Sequence, residues 1–245
     1  MVILQARKTI HFLSLSLFLS IGILPCTAQD LSLGLAQDVG VLVSSNQGLE
    51  KSLVDIKAVD APILGLDQGR MRIATIQRKG QGIIIDSQGI IATNRHIIGN
   101  ATHIYVLLSN NETYEATLLH NSPSDLSLIK INARIPLRAI SLADSSDIKI
   151  GVDVIAVGHG DYNPQRITDG QVIQIFKDTN SNNMEILEMN IPLKPGDSGG
   201  PILNKQGFLV GLIMAKQLSD PSKSFAIASN RIQQEYFKYQ NSILN

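Results

Sequence analysis

The sequence has one cysteine, no tryptophan, only 4% aromatic residues, and equal numbers of basic and acidic side chains. Each shortage excludes something. One cysteine cannot close a disulfide within the chain, so a small cross-linked scaffold is ruled out and the core must supply the stability. A formal net charge of zero leaves no electrostatic footprint for nucleic acid. So few aromatics give no stacking platform for single strands. No HxH or HExxH spacing suggests a metal ligand set, so no metal or cofactor is expected. What is present is 44% hydrophobic residues over 245 positions, enough for a sizeable core in one large or two small domains.

The first 28 residues differ from the rest. Arg7 and Lys8 precede the apolar stretch "TIHFLSLSLFLSIGIL", and "PCTAQD" follows with small residues. That layout predicts a bacterial secretory signal peptide cut after Ala28, the alternative being an uncleaved anchor. The apolar run is short for a membrane span, which needs about 20 residues. Export to the periplasm or the medium is therefore expected, with no stable membrane insertion after cleavage. Cys26 is either lipidated or removed with the signal, and Pro25 before it fits lipidation poorly. If it is removed, no cysteine nucleophile remains. Residues 29–70 mix Leu and Val with Gly, Asp and Ser without a lasting period, and read as an N-terminal extension of unclear role.

From residue 71 to 245 the texture is uniform. Short runs rich in Ile, Val, Leu and Thr ("QGIIID", "GIIATNRH", "THIYVLLS", "DLSLIKI", "GFLVGLIMA") alternate with Gly, Asn, Asp, Ser or Pro clusters. This pattern predicts an all-β barrel or sandwich, since βαβ units need longer helical patterns between strands. "DSQG" reads as a hairpin turn. Two helices are expected: a short one after His96 and "SNRIQQEYFKYQNSIL" at the end. In the second, Ser229 or Asn230 is the expected N-cap, with Ile232, Tyr236, Phe237 and Ile243 as a partial apolar face.

Chemistry concentrates in "KPGDSGGP", Lys194 to Pro201. A serine hydroxyl is a poor nucleophile until a base takes its proton and donors stabilise the oxyanion. Glycines at 196, 199 and 200 permit a sharp turn and a close substrate approach. Such a turn can aim the amides of Gly196 and Ser198 at one point, forming an oxyanion hole. An isolated SGG would be read as a plain strand connection; the flanking Pro residues and Asp197 make the string far more specific. The base should be a histidine. His96 ends a hairpin strand, where a side chain is held rigidly yet stays open to a cleft. His103 and His120 lie within strand patterns, and His159 lies in a Gly turn without an evident orienting partner. A carboxylate should fix the imidazole tautomer. Asp125, Asp86, Asp153 and Asp169 have comparable settings, and residue type alone does not choose among them.

"GQGIIIDSQGIIATNRHII", "SDLSLIKI", "IKIGVDVIAVGHG", "PGDSGGPILNKQGFLVGLIMA" and "SFAIASNRI" resemble, in order, the protease domain of the HtrA/Deg group of trypsin-like serine endopeptidases. The resemblance covers about residues 71 to 235. It implies His96 as general base, Asp125 as its orienter and Ser198 as nucleophile. It also implies two six-stranded antiparallel β-barrels with the site between them. Departures exist: Asp197 and Arg95 stand where HtrA members commonly have Asn, and "VGHG" replaces a usual Pro turn. Members usually continue into PDZ domains, so the sequence reads as a stand-alone protease domain.

By the same analogy, Pro192, Leu193, Ile213, Met214 and Ala215 form the primary substrate pocket. Being apolar, it favours small or medium aliphatic side chains. The expected function is cleavage of unfolded or damaged polypeptides, and an oligomer is compatible with the sequence. The rival readings are a non-catalytic peptide-binding member of the same fold and a serine esterase. The esterase signature GxSxG and its βα alternation are missing.

Overall fold

Alternating burial organises the strands. In β6 (His103–Leu108), Ile104, Val106 and Leu108 point into a core while His103, Tyr105 and Leu107 face out. A computed structural model describes residues 48–67, 70–158, 166–178, 184–217 and 219–244. All of them fall within the unit Gly40–Asn245. The signal peptide, half of the 29–70 segment and His159 lie outside the described residues.

The fold is all-β, with two closed six-stranded barrels. The first runs in the order β1 (Leu53–Val59), β4 (Gln77–Asp86), β5 (Ile90–Asn94), β8 (Leu126–Ile131), β7 (Thr113–Asn121), β6 and back to β1. The second runs β10 (Arg166–Asp178), β11 (Met184–Met189), β14 (Ser224–Ala228), β13 (Leu209–Lys216), β12 (Pro201–Leu203) and β9 (Asp153–Gly158). Neighbouring strands are antiparallel. Closure removes the exposed strand edges that an open sheet would carry. Val54, Ile56, Ile91, Val106 and Ile129 fill the first barrel, and Val154, Val172, Leu187, Ile202 and Ala226 the second.

The sequence boundary at residue 71 falls later than the barrel's first strand. Leu53–Val59 completes barrel one by pairing with both β4 and β6. Between β1 and β4, β2 (Ile63–Asp67) and β3 (Arg70–Ala74) form a separate hairpin with exposed Leu64, Leu66, Met71 and Ile73. Asp86 and Gly89 turn the chain at "DSQG": the Asp86 carboxylate accepts the Gln88 amide at 2.7 Å, and Gly89 has φ +90°.

Both expected helices form, α1 at Arg95–Ile98 and α2 at Ser229–Leu244. The buried face of α2 matches the expected one at Ile232, which is fully buried, and in part at Tyr236, but not beyond. Phe237 and Ile243 are 62% and 65% exposed, whereas Arg231 and Glu235 are 7% and 2% exposed. Glu235 binds Arg231 at 2.8 Å, His120 of β7 at 2.7 Å and Lys238 at 3.0 Å. Paired in this way, two charges can be buried where one alone would not be. At the start of the helix, the Ser229 hydroxyl donates to the Ala143 carbonyl at 2.8 Å, and the Asn230 side-chain oxygen accepts the Ser145 amide at 3.0 Å. These bonds fasten the helix to the segment joining the barrels.

Candidate active site

Strand β5 ends at Asn94 and passes directly into α1, which places His96 at the mouth of barrel one. Asp125 sits just before β8, in the left-handed region at φ +59°. Asp tolerates that conformation better than most residues, but it is uncommon and typical of functional sites. Here the turn lets one residue meet its neighbours on two sides. Its carbonyl accepts the Arg95 amide at 2.9 Å and the Asn94 side-chain amide at 3.3 Å. Its carboxylate accepts the His96 backbone amide at 2.9 Å and faces His96 Nδ1 at 2.8 Å. An ionised carboxylate can only accept, so Nδ1 carries the proton and Nε2 is left as an acceptor.

The other candidates are engaged elsewhere. His103 pairs with Glu115 at 2.9 Å and stacks on Tyr105, and His120 pairs with Glu235. Asp86 accepts the Tyr236 hydroxyl at 2.6 Å, and Asp153 pairs with Lys205 at 2.8 Å. Asp169 is exposed on β10.

The loop between β11 and β12 carries Ser198. Gly196 and Gly199 have φ of +92° and +85°, which L-residues with a Cβ rarely adopt. A Cβ on Gly199 would also collide with the Gln81 carbonyl. The loop is tied to barrel one by the Gln81 amide, which donates to the Ser198 carbonyl at 2.8 Å. Within barrel two, the Gly199 amide donates to the Ile213 carbonyl at 2.9 Å. Asp197, 1% exposed, accepts the Lys194 amide at 2.7 Å and pairs with the Arg166 guanidinium. The amides of Gly196 and Ser198 have no acceptor among the described residues.

His96, Asp125, Ser198, Leu193, Met214 and Ala215 line one cleft of about 350 Å³, joined by Lys194 and Pro195. Two pocket residues suggested by the sequence do not line it: Pro192 is exposed outside the cleft, and Ile213 is buried in the core of barrel two. The β13 register shifts between Ile213 and Ala215, and the Met214 carbonyl there accepts the Ser198 hydroxyl at 3.3 Å. No hydrogen bond joins Ser198 to His96 in this arrangement. Sequence reasoning missed Arg166; an aspartate beside Ser198 was visible, but its distant partner left no local signal.

A closed pair of antiparallel barrels with a serine and a histidine–aspartate pair in one cleft defines a trypsin-like fold. The model of the trypsin-like peptidase domain matches residues 80–212, and the chain belongs to that family. It is 33% identical over 160 residues to the periplasmic serine endoprotease DegP of Escherichia coli, covering 62% of this chain and 34% of that protein. With the probable periplasmic serine endoprotease DegP-like protein of Pseudomonas fluorescens it shares 36% over 138 residues, 56% of this chain and 29% of the relative. The chain thus spans about a third of the length of these relatives. Among solved structures, the HtrA-type protease AlgW with a decapeptide has the same fold, with a TM-score of 0.69, 19% identity, and coverage of 81% of this chain and 66% of that one.

Proposed function

We propose that this chain is an exported serine endopeptidase acting on unfolded or damaged polypeptides. The observation that carries the reading is the gathering in one cleft of the His96–Asp125 pair and the Ser198 hydroxyl, on a loop whose Gly196 and Ser198 amides have no acceptor among the described residues. In this mechanism the Ser198 hydroxyl turns from the Met214 carbonyl to His96 and attacks the substrate carbonyl as Nε2 takes its proton. Catalytic hydrogen bonds often tighten only when substrate arrives. The Gly196 and Ser198 amides then hold the oxyanion, each such donor contributing about 3–4 kcal/mol. Asp125 keeps the proton on Nδ1 and stabilises the imidazolium. His96 returns the proton to the leaving amine, and water repeats the sequence on the acyl-enzyme. Leu193, Met214 and Ala215 give the pocket its apolar wall, which suits aliphatic side chains before the cut. The periplasmic setting in the names of the DegP relatives supports export through residues 1–28.

A second reading, a peptide-binding member without catalysis, draws on the Ser198–Met214 bond. A fluorophosphonate probe separates the two. The peptidase is labelled at Ser198 and degrades casein, and Ser198→Ala loses both properties while keeping its thermal melt. Binding without labelling or cleavage in the unmutated protein would sink the peptidase reading.

A further inference from the structure

A second cavity, of about 340 Å³, lies on the other side of the nucleophile loop. Gly196 forms one wall, and the outer face of barrel one forms the others through Lys57, Lys79, Tyr105 and Leu107. The loop divides the two spaces: Lys194, Pro195 and Ser198 face the cleft with His96, while Gly196 faces this one. Strand register explains the lining. Lys57 on β1 stands directly opposite Lys79 on β4 and, on its other flank, opposite Tyr105 on β6. Two positions along the same face, Asp55 stands opposite Leu107. Both lysines are exposed, and neither forms an ion pair with a described carboxylate.

Like charges directly across a strand pair oppose folding. Asp55 is the single acid in the lining against two cations, so the cavity carries net positive charge. Tyr105 and Leu107, each 37% exposed, add apolar surface beside the cations. That combination suits an acidic side chain, its carboxylate between the lysines and its stem against Tyr105 and Leu107.

We infer that this cavity receives the substrate segment that follows the scissile bond and selects for Asp or Glu there, with Lys57 and Lys79 as the specificity-determining residues. The inference rests on the peptidase reading above. If the acyl half of the substrate fills the Leu193–Met214–Ala215 cleft, the leaving half must pass the oxyanion donors, and Gly196, which carries one of them, lines the next cavity.

Quenched fluorescent peptides identical up to the cut, and carrying Glu, Gln or Lys in the first three positions after it, test the inference. The readout is the ratio of kcat/KM for the Glu and Lys series within each enzyme, so changes in overall activity cancel. The unmutated protein should favour Glu about five- to tenfold at low salt, with the ratio shrinking as salt rises. Lys57→Gln/Lys79→Gln should bring the ratio near one, and Lys57→Glu/Lys79→Glu should invert it. A flat ratio in the unmutated protein, or the same ratio in all three enzymes, overturns the inference. An activated ester ending at the scissile bond keeps the two questions apart: its hydrolysis by the unmutated protein but not by Ser198→Ala shows a working site whatever the peptide ratios are.

Discussion

Asp197, the residue immediately before Ser198, is 1% exposed and pairs with Arg166, the first residue of β10. The same carboxylate accepts the Lys194 amide at 2.7 Å, so a single buried charge closes the loop that presents Gly196 and Ser198. A buried carboxylate without its cation is strongly unfavourable, typically by about 3–5 kcal/mol. The loop can escape that cost by rearranging, which would misplace both amides.

Arg166→Ala should therefore lower kcat far more than it raises KM, by about a hundredfold, since misplaced oxyanion donors affect the transition state above all. Adding Asp197→Asn should restore much of the loss, because a neutral amide can still accept the Lys194 amide and needs no cation. Steady-state kinetics of the two variants, beside their thermal melts, check this. Equal activity in the single and double variants would show that Arg166 acts only as a surface residue.

The second prediction concerns Asp125. An amide there can offer its N–H to His96 Nδ1, forcing the proton onto Nε2, where it cannot accept from Ser198. Asp125→Asn should reduce kcat by about 10⁴ while the fold persists. Fluorophosphonate labelling rates and circular dichroism together measure both halves of the statement. Retention of most of the activity would mean that another acid serves His96.

Glu235 gives the third prediction, which is about stability. Burial raises the affinity of its carboxyl for a proton, but hydrogen bonds from Lys238 and His120 and the Arg231 charge outweigh this, leaving its pKa below the usual 4.5. A group with a lowered folded pKa stabilises the fold fully above its unfolded value. That contribution disappears as pH falls through the folded one. Stability should thus fall on the acid side of pH 4.5, with Glu235 contributing to the slope. Glu235→Gln should flatten this acid limb and cost about 3 kcal/mol at neutral pH, since Arg231 and Lys238 lose their shared partner. Urea melts across pH 3–7 for both proteins provide the test. Parallel curves would contradict it.

Several features were legible in the chain itself. Period-2 runs punctuated by turn residues specify strands, because alternate side chains must face one core. That pattern points to an all-β barrel or sandwich; the pair of six-stranded barrels comes from the resemblance to the HtrA/Deg group. "KPGDSGGP" and the strand-ending His96 are equally local: a turn that needs positive φ leaves glycines, and a base at a strand end leaves a histidine beside a hairpin. The first strand was harder to see, because "LVDIKAV" sits in a segment of mixed texture and becomes a barrel strand only by pairing on both sides.

What tertiary structure alone decided are the partnerships. Asp86, Asp125, Asp153 and Asp169 look alike as letters; only the backbone at Asp125, turned to φ +59°, brings its carboxylate to His96. Phe237 and Ile243 read as part of the apolar face of α2, and Arg231 and Glu235 carried no assignment. Packing left Phe237 and Ile243 exposed and buried Arg231 and Glu235 instead, because a paired charge can be buried. The sequence by itself determined the strands, the turns and the glycine-rich loop of Ser198, since these depend on neighbours along the chain. Closing the barrels chose which acid meets the histidine, which arginine meets Asp197 and which lysines face each other, since those contacts join residues that only the fold brings together.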